Sequence, residues 1–421
     1  MPVISLVCLL AILLILISAI TKKADLLSPG RVFILLWLFI IGLVELKFSR
    51  LQSEWDLFDW FMVLLALLTF LMGTYISYII NLDKPFHSVT KIRLKFRELE
   101  INESRLFTFI IIYFFLCLIS FIIEWQIEGY IPLFTSKPDS ARVMFGVYGL
   151  HYIVNSINVV LFLIIQYFIF VKSNYTKKTI LVLVFILSLG NYILFVQRFG
   201  FFILLMMAFC LYYYSGKKIG IKTVTLFLIL FFGLILGIQS IRATQFFTSY
   251  VYVNSEMKFS PRYLDFTLPY MYLSMNLENF VKYYSNIQNH SFGFFTFEYL
   301  IEASTIRKWF IDYYSFNRIE NYIGGYNTYP FFWTYYFDFG IAGLALMPFI
   351  IGFIFSEIYY FFHRNPTLVK LALVSIAFAV IMISFNSDAL SRLDTILPFT
   401  VIVLAQFLFM KKNKNGQGVQ E

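Results

Sequence analysis

One arginine, Arg198, lies inside the apolar stretch FVQRFGFFILLMMAF and could carry either an interfacial charge or an anion-binding group. A charge at bilayer depth costs at least about 2.5 to 3.5 kcal/mol, so this guanidinium must reach the interface or serve a function. Polar residues also recur at helical spacing in another apolar stretch, as His151, Asn155 and Asn158. Because a planar guanidinium can bind phosphate through two hydrogen bonds, an arginine in this position favours an anionic ligand.

The elements that carry these residues are membrane spans. The chain of 421 residues is 60% hydrophobic and only 14% charged, with a mean hydropathy of +0.77, which excludes a soluble domain. Apolar segments of roughly 17 or more residues predict an all-α polytopic membrane protein with about 11 transmembrane helices. These segments lie near 3–20, 31–47, 58–80, 106–123, 150–171, 179–196, 199–214, 222–241, 338–362, 367–385 and 394–410.

The distribution of Lys and Arg predicts the orientation of these spans. One assignment places 20 of the 33 basic residues on the cytoplasmic side, with the N-terminus external and the C-terminus cytoplasmic. The net charge of +9 is then explained by topology and by contact with membrane lipids, and it indicates no nucleic-acid partner.

The predicted external side is rich in arginine. It holds eight arginines and five lysines, whereas the cytoplasmic side holds five arginines and 15 lysines. Lysine would suffice for topology, so we predict that Arg142, Arg198 and Arg242, each with polar neighbours, bind a diphosphate. The structural alternatives are an arginine that reaches the surface and polar side chains that only join helices.

A long external segment, 242–330, divides the predicted membrane domain into 1–241 and 331–421. Its density of Tyr, Phe and Leu argues against disorder, and SPRYLDF and TFEYLIEASTIRKWFIDYY predict amphipathic helices. Its tyrosines, asparagines and near-balanced charges suit a carbohydrate ligand. The predicted glycan-binding residues, from this segment and from the polar stripe, are Arg262, His151, Asn155, Tyr326 and Asn327.

Four stretches, in order along the chain, resemble the Wzy-type oligosaccharide repeat-unit polymerases of O-antigen and capsule synthesis. They are GYIPLFTSKPDSARVMFGVYGLHY, QRFGFFIL, IRATQ and GGYNTYPFFWTYYFDFGIAGLALMPFIIGFI. The resemblance covers most of the chain, in order and in topology. Some members of this family are described as having an Arg followed eleven residues later by a Gly. This chain does not reproduce that spacing clearly, so the spacing assigns no residue roles here.

The resemblance implies a GT-C-like fold and a metal-independent, cofactor-free glycosyltransferase of the bacterial plasma membrane. Its substrate would be undecaprenyl-diphosphate-linked oligosaccharide, and its possible partners are a chain-length regulator and a flippase of the same pathway. Such chemistry needs cations for the leaving diphosphate and a base for the acceptor hydroxyl. Asp338 and His290 are the predicted catalytic residues, with His151, Glu298 and Asp265 as further candidates for the base. A helix cap for Asp338 and a solvated loop histidine for His290 stay open as alternatives.

Two other functions fit parts of the pattern. An O-antigen ligase would use the same donor with another acceptor, and a lipid-linked oligosaccharide flippase would also be basic and polytopic. Transporters usually carry internal repeats and ionisable residues in mid-span, whereas here the charges cluster at the predicted external boundary. The acidic segment EWDLFD lacks an Asp-x-Asp pair, and we predict no metal site.

Overall fold

The computed structural model describes residues 3–22, 24–195, 197–216, 247–284, 287, 289–304, 323 and 326–409. Across these ranges the named secondary-structure elements are helices, and an isolated β-bridge joins Ser49 to Met257. The predicted all-α class is therefore confirmed for this part of the chain. The predicted span 222–241 and Arg242 lie outside it.

The α-helices are numbered here in chain order. They are α1 Val3–Thr21, α2 Pro29–Val44, α3 Leu57–Ile80, α4 Val89–Arg97, α5 Glu103–Glu128, α6 Pro138–Met144, α7 Leu150–Asn155, α8 Asn158–Phe170, α9 Tyr175–Leu194, α10 Phe199–Tyr214, α11 Phe247–Asn254, α12 Thr267–Tyr283, α13 Glu298–Ala303, α14 Phe332–Arg364, α15 Leu368–Ile383 and α16 Leu393–Phe409. Short 3₁₀ helices occupy Pro132–Phe134 and Pro261–Phe266.

The apolar helices coincide with ten of the eleven segments that hydropathy predicts. Within the described ranges, six helical stretches are long and apolar enough to cross a membrane, namely α1, α3, α5, α7 with α8, α9 and α14. Four shorter apolar helices accompany them, α2, α10, α15 and α16. These features support a polytopic membrane protein.

The segment predicted as one span over 150–171 is divided at Ser156 and Ile157. The Ser156 hydroxyl donates to the carbonyl of Ile153 at 2.6 Å and contacts the Tyr113 hydroxyl at 2.8 Å. A serine that bonds to the preceding turn competes with the helical ladder, and the Ile157 N–H accordingly bonds to Val154 at 3.3 Å. Hydropathy could not predict this break because both halves are apolar.

The contacts divide the chain into two compact units. Unit 1 takes its residues from Met1–Phe86, Gln239–Arg364 and Ile376–Ile396, and unit 2 from His87–Ile238, Asn365–Ser375 and Leu397–Glu421. The topology predicted from the sequence divides the chain into consecutive segments with boundaries at 242 and 331. The two compact units differ from that division because each combines segments that are distant in sequence.

Unit 1 is built around close packing of α3 against α14. A Cβ atom on Gly73 would lie 2.1 Å from the carbonyl oxygen of Phe349, and one on Gly352 would lie 2.2 Å from that of Phe70. The Thr69 hydroxyl donates to the Leu344 carbonyl at 3.2 Å along the same contact. The small residues thus bring the two backbones together, as is typical of helix pairs in membranes.

We predict that Gly73→Ala lowers stability because its Cβ would meet backbone, which cannot move without shifting a helix. Overpacking of this kind costs about 1 to 3 kcal/mol. Gly190→Ala in α9 is the matched control, since a Cβ there meets nothing within 4 Å. The measurement is the thermal midpoint of the purified variants, with their level in the membrane. Equal midpoints for the two variants would contradict the close contact of α3 with α14.

In unit 2, α7 and α8 form the most enclosed of the candidate spans, with 61% of the apolar window buried. Gln166 of α8 and Gln406 of α16 are both buried and exchange two amide hydrogen bonds, at 2.7 and 2.9 Å. The helix α4 is joined to the end of α10, because Arg93 donates to Tyr213 and Arg97 donates to Gly216. Polar bonds therefore fix the contacts of otherwise apolar helices.

In the segment 242–330, which the sequence predicts to be external, a 3₁₀ helix begins where the sequence predicts a helix start. Ser260 has extended backbone angles, Pro261 follows it, and the Ser260 hydroxyl accepts the Arg262 N–H at 3.4 Å. The helix predicted within TFEYLIEASTIRKWFIDYY is present as α13, and residues 305–322 lie outside the described ranges.

Candidate functional site

The centre of the candidate site in unit 2 is a histidine held by a buried carboxylate. His151 Nδ1 lies 3.0 Å from Glu124 Oε1, and the same oxygen accepts the Val147 N–H at 2.8 Å. The Glu124 side chain is fully buried, while 24% of the His151 side chain is exposed. Because Nδ1 donates to the carboxylate in the neutral tautomer, Nε2 is the nitrogen that can accept a proton.

Local backbone conformation places His151 against Glu124. The helix α5, which carries Glu124 in its last turns, ends at Gly129 in the left-handed conformation. The returning chain passes Gly146, with φ 141°, where an added Cβ would lie 3.0 Å from the His151 ring. Only glycine allows the backbone to approach the imidazole so closely here.

Aromatic rings surround the imidazole. The ring centroid of His151 lies 6.3 Å from that of Phe145 and 6.0 Å from that of Phe195, and these two phenylalanines are 5.2 Å apart. Phe121 and Tyr130 pack against the same cluster. The rings exclude water from one side of the histidine, which strengthens its interaction with Glu124.

The predicted polar stripe and the predicted arginine turn meet in this cluster. Asn155, one helical turn after His151, accepts a hydrogen bond from Gln197 Nε2 at 3.1 Å. Asn158 accepts a hydrogen bond from the hydroxyl of Tyr192. The structure therefore joins the stripe of α7 and α8 to the α9–α10 turn.

Arg142 and Arg198 flank the aromatic cluster in sequence. Arg198 is the N-cap residue of α10, three positions after Phe195, and Arg142 lies in α6, three positions before Phe145. Both side chains are half-buried. The prediction that Arg198 lies at a turn is confirmed to the extent that it joins two apolar helices, α9 and α10, and Arg242 lies outside the described residues.

In unit 1, Asp338 holds a loop. Its buried carboxylate accepts the Phe295 N–H at 3.2 Å, the Thr296 N–H at 2.6 Å and the hydroxyl of Ser291. Both carboxylate oxygens are therefore occupied, which gives Asp338 a structural task. Its catalytic role stays a prediction.

His290 precedes the loop that Asp338 holds. Its Nδ1 lies 3.2 Å from the Phe337 carbonyl oxygen, and its ring packs edge-on against Tyr336. A Cβ on Gly340, where α14 bends at φ 61°, would lie 2.9 Å from His290 Nε2. Nδ1 is thus engaged with a carbonyl and Nε2 lies against the Gly340 backbone, and the predicted catalytic role of His290 stays a prediction.

Asp388 is a residue that sequence reasoning missed. It is buried between α15 and α16 and accepts the Leu390 N–H at 3.0 Å. Burial raises the pKa of Asp388 from its ordinary 3.8 to about 7, and the nearby Asp338 carboxylate acts in the same direction. The stretch NSDALSRLD, which contains Asp388 and Asp394, gives no local signal that one of its two aspartates is buried.

We predict that Asp388 makes stability fall as pH rises from about 4 through 7. The folded state resists ionisation of a carboxyl with a raised pKa, so the protonated form stabilises the fold at low pH and this contribution is lost above pH 7. The contribution is at most roughly 4 kcal/mol. Asp388→Asn should flatten the dependence of the thermal midpoint on pH between 5 and 8. The exposed Asp83→Asn is the control, and an unchanged slope for Asp388→Asn would refute the assignment.

The remaining predicted glycan-binding residues differ in exposure. Arg262 and Asn327 are exposed, whereas Tyr326 is 7% exposed and packs in a cluster with Tyr270, Met271 and Met275. The Tyr326 hydroxyl lies 3.1 Å from that of Ser255, and burial raises its pKa to about 12. Tyr326 thus has a core position, because its ring fills apolar space between helices.

The acidic segment EWDLFD caps a helix. Asp56 Oδ1 accepts the N–H groups of Phe58 and Asp59 at 2.8 Å, and Asp59 returns a bond to the Asp56 N–H at 2.9 Å. Asp59 also accepts the Tyr284 hydroxyl at 2.9 Å. Within the described residues, no group of three or more His, Cys, Asp or Glu side chains is placed to hold a metal ion.

The helices define the class as a polytopic α-helical membrane protein. Comparisons with protein-family models, with curated proteins and with solved structures give no match.

Proposed function

We propose that the chain is a glycosyltransferase that polymerises lipid-diphosphate-linked oligosaccharide repeat units at the external face of a bacterial plasma membrane. The observation that carries the proposal is the His151 imidazole held by the buried Glu124 carboxylate. Arg142 and Arg198 lie three residues in sequence from Phe145 and Phe195, whose rings contact this imidazole. A base and cations are the two groups that transfer from a diphosphate requires.

The reaction assigns a separate task to each group. The acceptor hydroxyl oxygen attacks the anomeric carbon of the growing chain, and its proton passes to His151 Nε2. The bond from that carbon to the diphosphate oxygen breaks, and its electron pair goes to the diphosphate. Arg142 and Arg198 stabilise the charge that develops there. Arg242, predicted from the sequence for the same role, lies outside the described residues.

Glu124 supports this assignment because it fixes the orientation and tautomer of the imidazole. Its Oε1 is the acceptor for Nδ1, and the Val147 N–H holds the carboxylate in place. A carboxylate behind a histidine also stabilises the imidazolium that forms on proton transfer.

The proposed architecture is GT-C-like, with about 11 spans, an external N-terminus and a cytoplasmic C-terminus. It rests on the distribution of basic residues and on the resemblance to the Wzy-type polymerases. The proposed substrate lipid is undecaprenyl diphosphate, and a chain-length regulator and a flippase are the proposed partners in the pathway.

The experiment that tests the function is product analysis in a strain that lacks the gene. Loss of a polymerase leaves glycans of a single repeat unit on the cell surface. Loss of a flippase leaves lipid-linked units inside the cell, and loss of a ligase leaves long polymer on the lipid carrier. Purified protein should elongate lipid-linked repeat units in excess EDTA, because the proposed chemistry uses no metal. Activity that returns only with Mg²⁺ or Mn²⁺ would contradict the metal-independent mechanism.

A further inference from the structure

Phe292 combines two properties that the fold alone does not explain. Its backbone φ is +51°, in the left-handed region, and its side chain is 80% exposed. The left-handed conformation is costly for a bulky residue, and glycine would adopt it with less strain. An exposed ring also makes little packing contact that could offset this strain. The chain therefore places a large aromatic side chain where the fold would favour glycine.

The loop around Phe292 is held rigidly in this conformation. The Phe292 N–H donates to the Asp338 carbonyl at 3.1 Å, and the Ser291 N–H donates to that of Phe337 at 3.4 Å. The Asp338 carboxylate takes the donors of Ser291, Phe295 and Thr296 described above. Strained residues persist where the surroundings determine their conformation in this way, and they concentrate at ligand sites.

The residues that precede Phe292 in sequence carry hydrogen-bonding groups. Asn289 is exposed, and His290 is half-buried, with its Nε2 close to the backbone of Gly340. An aromatic face with adjacent amide and imidazole groups matches a pyranose, whose C–H face packs on a ring and whose hydroxyls need polar partners. An acyl chain would gain nothing from these polar groups.

We propose that Phe292, with Asn289 and His290, forms a glycan-binding platform in unit 1. The proposal rests on the proposed function, since it names a contact for the glycan substrate. The loop holds the ring ready in an exposed position, so binding requires no ordering of the side chain. Asp338 acts here as a positioning residue for the platform.

The test uses full-length protein and the oligosaccharide repeat unit released from its lipid by mild acid. Phe292→Ala should bind this glycan about tenfold more weakly, which is the loss expected for one aromatic contact. Phe292→Trp should retain binding and change its fluorescence when the glycan is added. Phe266→Ala is the matched control, because that ring is 67% exposed in the same segment but has an ordinary φ of −77°.

Phe292→Gly separates the platform from a structural role. It should raise the thermal midpoint, because the strain is relieved, and weaken glycan binding as alanine does. Normal glycan affinity of Phe292→Ala would overturn the proposal. Quenching of the added indole fluorescence of Phe292→Trp by brominated phospholipid, without a response to glycan, would show that the ring anchors the protein in lipid instead.

The outcomes also distinguish this proposal from the proposed function. The released glycan carries no diphosphate, so Arg198→Ala should bind it normally even where elongation is lost. If the wild-type protein elongates glycans and the Phe292→Ala variant binds the glycan with wild-type affinity, the platform is refuted and the polymerase function is not. If the protein binds the glycan through Phe292 but does not elongate it, the polymerase function is refuted and the platform is not.

Discussion

Arg198→Ala is expected to lower the rate of glycan elongation by about 10² to 10³-fold, the loss typical of a charge-stabilising contact at a reacting centre. Arg198→Lys should lose most of the activity as well, because lysine keeps the charge but cannot bind phosphate through a planar fork. The measurement is the rate of polymer formation from lipid-linked repeat units by purified protein. Chain length in a complemented deletion strain gives the same comparison in cells.

The control for Arg198 is Arg50→Ala, which removes an exposed arginine from the same predicted side of the membrane. Membrane level and thermal midpoint must be compared, because Arg198 is also the N-cap residue of α10. A stable Arg198→Ala protein that makes long chains would leave this arginine as an interfacial turn residue. Full activity of the lysine variant would show that charge alone suffices.

His151→Ala is expected to reduce elongation by about 10² to 10⁴-fold, the range typical of a lost general base. Added imidazole should restore part of the rate, since a small base can occupy the vacated position beside Phe145 and Phe195. Glu124→Gln should cause a smaller loss, because glutamine can still accept from Nδ1 but cannot stabilise the imidazolium. The readout is the single-turnover rate with and without imidazole.

His87→Ala serves as the control, because this histidine lies on the predicted cytoplasmic side. A merely structural role for His151 would lower the thermal midpoint and leave imidazole without effect. That result would show that another residue is the general base, and His290 would be the next candidate.

The spans and the arginine turn could be predicted from sequence because hydropathy and helical spacing are local properties. The stripe of His151 and Asn155 follows from their separation of four residues, which places both on one helical face. Glu124 could not be predicted as the partner of His151, since 27 residues and a reversal of the chain separate them. An acid within FIIEWQIE was the only signal, and it did not identify a partner.

Burial was the other property that sequence did not reveal. Tyr326 and Asn327 are adjacent, yet one lies in a core cluster and the other is exposed. Asp338 follows an aromatic run that predicts a helix, but the loop it holds comes from residues more than 40 positions earlier. Such contacts are set by tertiary structure, and local patterns contain no information about them.

The contact of α3 with α14 has a consequence for biosynthesis. Thr69 and Leu344 are 275 residues apart in the chain. At typical synthesis rates, α3 waits about 15 to 55 seconds in the membrane before its partner emerges. During that interval the surface around Gly73 faces lipid or another protein, so assembly of this helix pair is open to competing contacts. Slower translation of the intervening segment should therefore increase degradation of the nascent protein, and a membrane chaperone that covers α3 should reduce it.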